Sequence, residues 1–215
     1  MGYTLAEARS IVADHLDDSA NDRWSASQID FGLKYALDAC LGEYLAAGGD
    51  RLNEILVTST ANGAVSLASL DPKLISSLTM LVGNRYFPIS EVAHPERVLQ
   101  DSGVHSVEIS YVRSFVLPTT TTHPLVGNGA TAAKSFGTLE NWICARAALF
   151  CSVKDAESRP ELKVLEQEMK DAVLLTPSIP KSLAFPDKPS HYSNWFVWSY
   201  KPDTQVIQLG RKGWF

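Results

Sequence analysis

Cysteine is scarce in this 215-residue chain: Cys40, Cys144 and Cys151 cannot all pair with one another, and no Cys-x-x-Cys spacing occurs. Neither a disulfide framework nor a zinc site is expected, and buried thiols are. Positive charge is scarce too. With 19 Lys and Arg against 24 Asp and Glu the formal net charge is -5, whereas phosphate binding needs clustered cations. No apolar run approaches the roughly 20 residues that a membrane span requires. The start Met1-Gly2-Tyr3-Thr4-Leu5 has neither the basic nor the apolar region of a secretory leader, so a cytosolic protein with no membrane partner is expected. Catalytic signatures are missing as well. No glycine-rich stretch runs into Gly-Lys-Ser or Gly-Lys-Thr, and Gly127-Asn128-Gly129 lacks a third glycine. There is no G-x-S-x-G elbow and no H-E-x-x-H pair, and His15, His94, His105, His123 and His191 are dispersed. The reading is of a non-enzyme with no cofactor and no metal.

What is present is an ordinary core composition, 45% hydrophobic and 20% charged, arranged with clear helical punctuation. Thr4-Leu5-Ala6-Glu7 has the form of a capping box and predicts a helix to about Asp17. Ser25-Ala26-Ser27-Gln28 repeats it, with Trp24 and Ile29 placed as a hydrophobic staple. The stripe Ile29, Leu33, Ala36, Leu37, Cys40, Leu41 and Tyr44 runs on to a stop at Gly48-Gly49. A later stripe through Leu139, Ile143, Ala147 and Phe150 is followed by Pro160 at a helix start. Leu162, Leu165, Met169, Ala172 and Val173 then complete an antiparallel helix pair.

Between these helices the period changes to two. Segments 55–61 and 64–67 flank Asn62-Gly63, which predicts a hairpin with a type I′ turn. A second hairpin is predicted across Gly83-Asn84, a short helical turn over 95–100, and a strand over 107–112. Residues 116–137 hold Thr119-Thr120-Thr121-Thr122 and little periodicity, and are expected to project as a loop. After Thr176, Pro177, Pro180, Pro186, Pro189 and Pro202 forbid a long helix. This segment has five basic and two acidic side chains, a net of +3 that leaves -8 for the rest. It is dense in rings: Tyr192, Trp195, Phe196, Trp198 and Tyr200, then Trp214 and Phe215 at the end. At about 200 Å² each, such rings gain more from burial than the short segment loses in ordering. They are therefore expected to dock on a partner's groove or sheet edge.

Other clusters read as structural. Asp14, Asp17, Asp18 and Asp22 lack the glycine and terminal glutamate of a calcium loop and are expected to be a solvated helix end. Trp142, Cys144 and Cys151 are expected in the core. The whole predicts an α+β fold that is mainly α. Residues 1–175 form a helical bundle with a β insertion at about 53–115 and a projecting loop at about 116–137. Residues 176–215 form an extended aromatic arm.

The order of parts resembles the head-to-tail adaptor (connector) proteins of tailed bacteriophages. The likeness covers most of 1–175. It is carried by Thr4-Leu5-Ala6-Glu7-Ala8-Arg9, by Arg23-Trp24-Ser25 opening the helix that continues from Ile29 to Tyr44, by the hairpin-rich middle around Asn62-Gly63, by the 107–112 strand and by the helix pair 139–175. The resemblance implies a non-catalytic helical bundle repeated in a dodecameric ring in the virion neck, assembled in the host bacterial cytoplasm. The C-terminal arm would dock on the portal protein, with Trp195, Phe196, Trp198 and Trp214 as anchors. Hairpins or the 116–137 loop would face a tail or nozzle protein or the channel, through which genomic DNA passes without sequence-specific binding. A tail-completion or stopper protein is the neighbouring alternative. A small carbohydrate-active hydrolase, using two carboxylates of the β region and the arm as a sugar platform, is the alternative of another class.

Overall fold

The chain is described from a computed structural model that covers residues 2–20, 22–82, 84–92, 98–128, 131–154, 159–175 and 196–212. Helix α1 (Leu5–His15) opens with the expected reciprocal bonds. The Glu7 amide donates to Thr4 Oγ1 at 3.3 Å and the Thr4 amide to Glu7 Oε2 at 2.7 Å, which satisfies two donors that a helix start exposes. Helix α2 (Ala26–Ala46) begins after Ser25, whose amide donates to Gln28 Oε1 at 2.8 Å. Helices α3 (Gly137–Lys154) and α4 (Pro160–Leu174) follow later in the chain. Ten strands are described: β1 (Glu54–Ser59), β2 (Ala64–Ser66), β3 (Pro72–Val82), β4 (Arg85–Glu91), β5 (Val98–Gln100), β6 (Ser106–Arg113), β7 (Gly127–Asn128), β8 (Thr131–Ala132), β9 (Phe196–Lys201) and β10 (Val206–Lys212).

The chain divides into two units, a helical one from Met1–Leu52 with Phe115–Pro180 and a β one from Asn53–Ser114 with Lys181–Phe215. In the helical unit α2 packs on α3, and Leu33, Leu37 and Cys40 of the one and Trp142, Ile143 and Ala147 of the other are all at most 1% exposed. In the β unit the strand order is β1-β6-β3-β4-β9-β10-β2, with β5 also on β10, a nearly closed, barrel-like sheet. Leu67, Leu78, Val107, Ile109, Trp198 and Leu209 meet in its core.

This overturns the expectation of a mainly α chain, because strand makes up 31% against 38% helix. The difference comes largely from residues 196–212. Prolines exclude a helix over much of the C-terminal segment, but they leave period-two alternation free to form a ladder. Strands β9 and β10 pair antiparallel with each other and, through β4, β2 and β5, join the inserted strands. Residues 196–212 are therefore part of the chain's own sheet and not a free arm.

Three local expectations are also corrected. The Asn62-Gly63 turn forms, with φ of 50° and 68°, and Ala61 and Ala64 exchange both backbone bonds. The strands it joins then part, β1 pairing with β6 and β2 with β10. Burial sets the register: Leu56 lies opposite Ile109 and Val65 opposite Ile207, so each strand finds a different apolar partner. Residues 98–100 form a strand on β10 instead of ending a helical turn, and residues 93–97 lie outside the described residues. The 116–137 segment does not project as a whole. Its His123 and Thr121 carbonyls accept from the Leu5 and Ala6 amides at 3.0 Å, and its Leu125 is fully buried. The open amides of the α1 start recruit the loop.

The acidic cluster divides in the same way. Asp18 is 8% exposed and accepts from the amides of Asp22, Arg23 and Trp24, with the Trp24 bond at 2.7 Å. The Asp18 carboxylate thus ties the α1–α2 connection and is not part of the solvated helix end that the sequence suggests.

Candidate functional site

The rings singled out from the sequence divide between places. Tyr192, Trp195, Trp214 and Phe215 lie outside the described residues. Phe196, Trp198 and Tyr200 sit on β9. Trp198 is 3% exposed, packs in the β core and donates from Nε1 to the Ile89 carbonyl at 2.9 Å. Its apolar area is already out of water within the subunit, so it is not available as an anchor for a partner. Phe196 and Tyr200 are half-buried against the same core, and Phe196 meets the His105 ring edge-on at 5.4 Å.

Beside Phe196, His105 Nε2 and Asp101 Oδ2 lie 2.5 Å apart. The His105 bond holds the Asp101 carboxyl below its ordinary range. A nucleophile on the imidazole would be needed for triad chemistry. The nearby Thr60 hydroxyl instead accepts from the His105 amide and donates to the Gly103 carbonyl, which braces the β5–β6 loop. Among the described residues no three His, Cys, Asp or Glu side chains converge as metal ligands, and no helix is long and apolar enough to cross a membrane.

The surface that stands out is on the helical unit. Phe31 and Tyr35, one turn apart on α2, are 53% and 47% exposed. Phe150 of α3 lies beside both, stacked on Tyr35 at 4.5 Å and tilted to Phe31 at 5.7 Å. Lys154 sets its ammonium 4.2 Å from the Phe31 ring centroid, within cation–π range. On one side Phe31 and Tyr35 border a groove of about 540 Å³ whose far wall is Phe115, Val116 and Leu117. On the other side Phe31, Phe150 and Lys154 border a second hollow of about 340 Å³ against Trp24. No family model matches the chain, and no curated protein is similar to it.

Local sequence explains why these rings stay outside. The α2 core stripe already fills its inward face, so Phe31 and Tyr35 stand on a second ridge spaced i, i+4. That spacing was visible in the sequence, and its signal is an excess of apolar residues over what one buried face needs. Phe150 reads from the sequence as part of the α3 core stripe; it is half-buried and lines the smaller hollow beside Phe31. Trp142, by contrast, is fully buried and donates from Nε1 to Glu166 at 2.8 Å. The groove is an apolar slot whose lining carries Lys34 and Asp38, one charge of each sign.

Proposed function

We propose that this chain is a non-enzymatic assembly component, a head-to-tail adaptor that forms a ring in a phage neck and joins the portal to the tail. The observation that carries the reading is the exposed pair Phe31 and Tyr35, with half-buried Phe150 stacked beside them, and the groove that the pair borders. Aromatic residues concentrated at the rim of an apolar slot are the usual composition of an interface centre. In a ring, each copy covers the corresponding surface of its neighbour, so a small helical unit can leave such a ridge bare until assembly. The order of capped helices around an inserted β unit gives the likeness its second support. Trp198, buried in the β core, takes no part in this docking; the ridge is the binding surface of the helical unit.

Electron-microscope class averages of the purified full chain, alone and mixed with a portal ring, test the proposal. Rings are expected in at least one sample, with Tyr35→Glu abolishing them while the fold is kept. A chain that stays single at high concentration and ignores the portal overturns it.

A further inference from the structure

Lys154, at the end of α3, is exposed and holds its ammonium 4.2 Å from the Phe31 ring centroid and 5.9 Å from that of Phe150. Lys34, one turn beyond Phe31 on α2, is exposed as well and lines the larger groove, with Asp38 a further turn along at the Tyr35 end. Neither lysine forms an ion pair among the described residues. Other cations of the helical unit do: Arg9 meets Asp30, Arg159 meets Asp17, and Arg146 and Lys170 both meet Glu43. Carboxylates outnumber cations in the chain, 24 to 19, so the two lysines beside the exposed rings are not left single for want of acids.

Helix α4 carries the opposite arrangement. Glu161, Val164 and Glu168 are exposed at i, i+3 and i+7, on the side of the helix away from buried Leu162 and Val173. Val164 is 57% exposed, and Leu175 at the end of the same row is 79% exposed. Neither glutamate forms an ion pair among the described residues. Seven residues rise about 10 Å, so a carboxylate stands on each side of an apolar side chain. A lysine–phenylalanine–lysine surface and a glutamate–valine–glutamate ridge are complementary in charge and in apolar area. α3 packs on both α2 and α4, and both surfaces are exposed, so they do not meet within one copy.

We infer that α4 of one copy seats on the Phe31–Tyr35 surface of the next, with Val164 against the rings and Glu161 and Glu168 paired with Lys34 and Lys154. The contact joins two different surfaces, so it passes from copy to copy and closes into a ring where the rotation allows. It rests on the proposed neck reading, which makes the aromatic ridge an assembly surface, and it adds that a second copy of this chain covers that ridge through α4.

Charge reversal tests the pairing, with sedimentation of the purified full chain over a concentration series as the readout. A ridge variant carries Glu161→Lys and Glu168→Lys, and a surface variant carries Lys34→Glu and Lys154→Glu. Each alone is expected to self-associate at least about tenfold more weakly than wild type, because like charges then face one another. An equimolar mixture is expected to recover, since in alternating order every contact again joins opposite charges. Glu168→Lys alone, clear of the α4 start, repeats the test should the paired ridge variant not fold. If wild type associates while either variant stays within about twofold of it, or if the mixture fails to recover, the α4 pairing is overturned and the neck reading is untouched. A wild-type chain that stays single up to about 1 mM also overturns the pairing, and the neck reading is then decided by the portal mixture alone.

Discussion

The helical unit and the β unit treat aromatic side chains in opposite ways. The β unit draws Trp198 into its core and gives the indole nitrogen a carbonyl. The helical unit buries Trp142 similarly but leaves Phe31 and Tyr35 half in water on the outer ridge of α2. Ring density along the sequence therefore does not locate a binding surface; the surface follows from which face of an element is already filled. In β9 the alternation of two puts Trp198 on the core face. In α2 the core stripe is complete without Phe31 and Tyr35, so both rings stay half in water.

That contrast breaks most sharply at Trp198. Trp198→Ala is expected to cost about 3–5 kcal/mol, the range for deleting a buried aromatic, and chemical denaturation followed by near-ultraviolet circular dichroism should show it. A cost below about 1 kcal/mol would mean that the ring is not a core residue. The next effect belongs to the turn that separates β1 from β2. Gly63 has φ of 68°, and a Cβ there would lie 2.1 Å from the Asp101 carbonyl oxygen. Gly63→Ala is expected to cost about 1–3 kcal/mol through strain and displacement, read in the same denaturation experiment.

These two residues also mark what was legible in the sequence. Caps were, because a capping box is a contact among residues three apart and needs nothing distant: Thr4 with Glu7 and Ser25 with Gln28. The Asn62-Gly63 turn was legible for the same reason. The partners of the strands beside it were not. β2 pairs with β10, more than 130 residues further along the chain, as the Val65–Ile207 register shows, and no local pattern encodes that choice. Trp198 was misread because extended, aromatic and proline-flanked describes a docking arm and a core strand equally well. The candidate site was half legible: Phe150 stood out as apolar, while Phe31 and Tyr35 needed the filled stripe beside them to acquire meaning.

A smaller, pH-dependent effect sharpens the contrast from the polar side. Burial opposes ionisation of Asp18, but the amides of Trp24, Arg23 and Asp22 outweigh it and hold the carboxyl below its ordinary value. A group depressed in the fold contributes stability in full above its unfolded value, about 3.9. It loses that contribution as pH falls through the folded value. The melting advantage of wild type over Asp18→Asn should therefore be constant near neutrality and shrink below about pH 4. An advantage that grows on acidification would remove the charged knot from the account of the α1–α2 connection.

The smallest change in stability is expected where the functional effect is largest. Tyr35 stacks on Phe150 but is 47% exposed, so Tyr35→Ala forfeits one partly solvated ring contact, about 0.5–1 kcal/mol. If the ridge exists for assembly, this substitution should weaken self-association or portal binding by at least tenfold while the melting temperature moves by only a few degrees, measured by sedimentation over a concentration series. A core residue gives the reverse ratio, since its loss unfolds the subunit before any interface is tested. Comparing Tyr35→Ala with Trp198→Ala in the same two assays thus separates a ring kept for a partner from a ring kept for the fold. Equal ratios for both would leave the helical ridge no claim to be a binding surface.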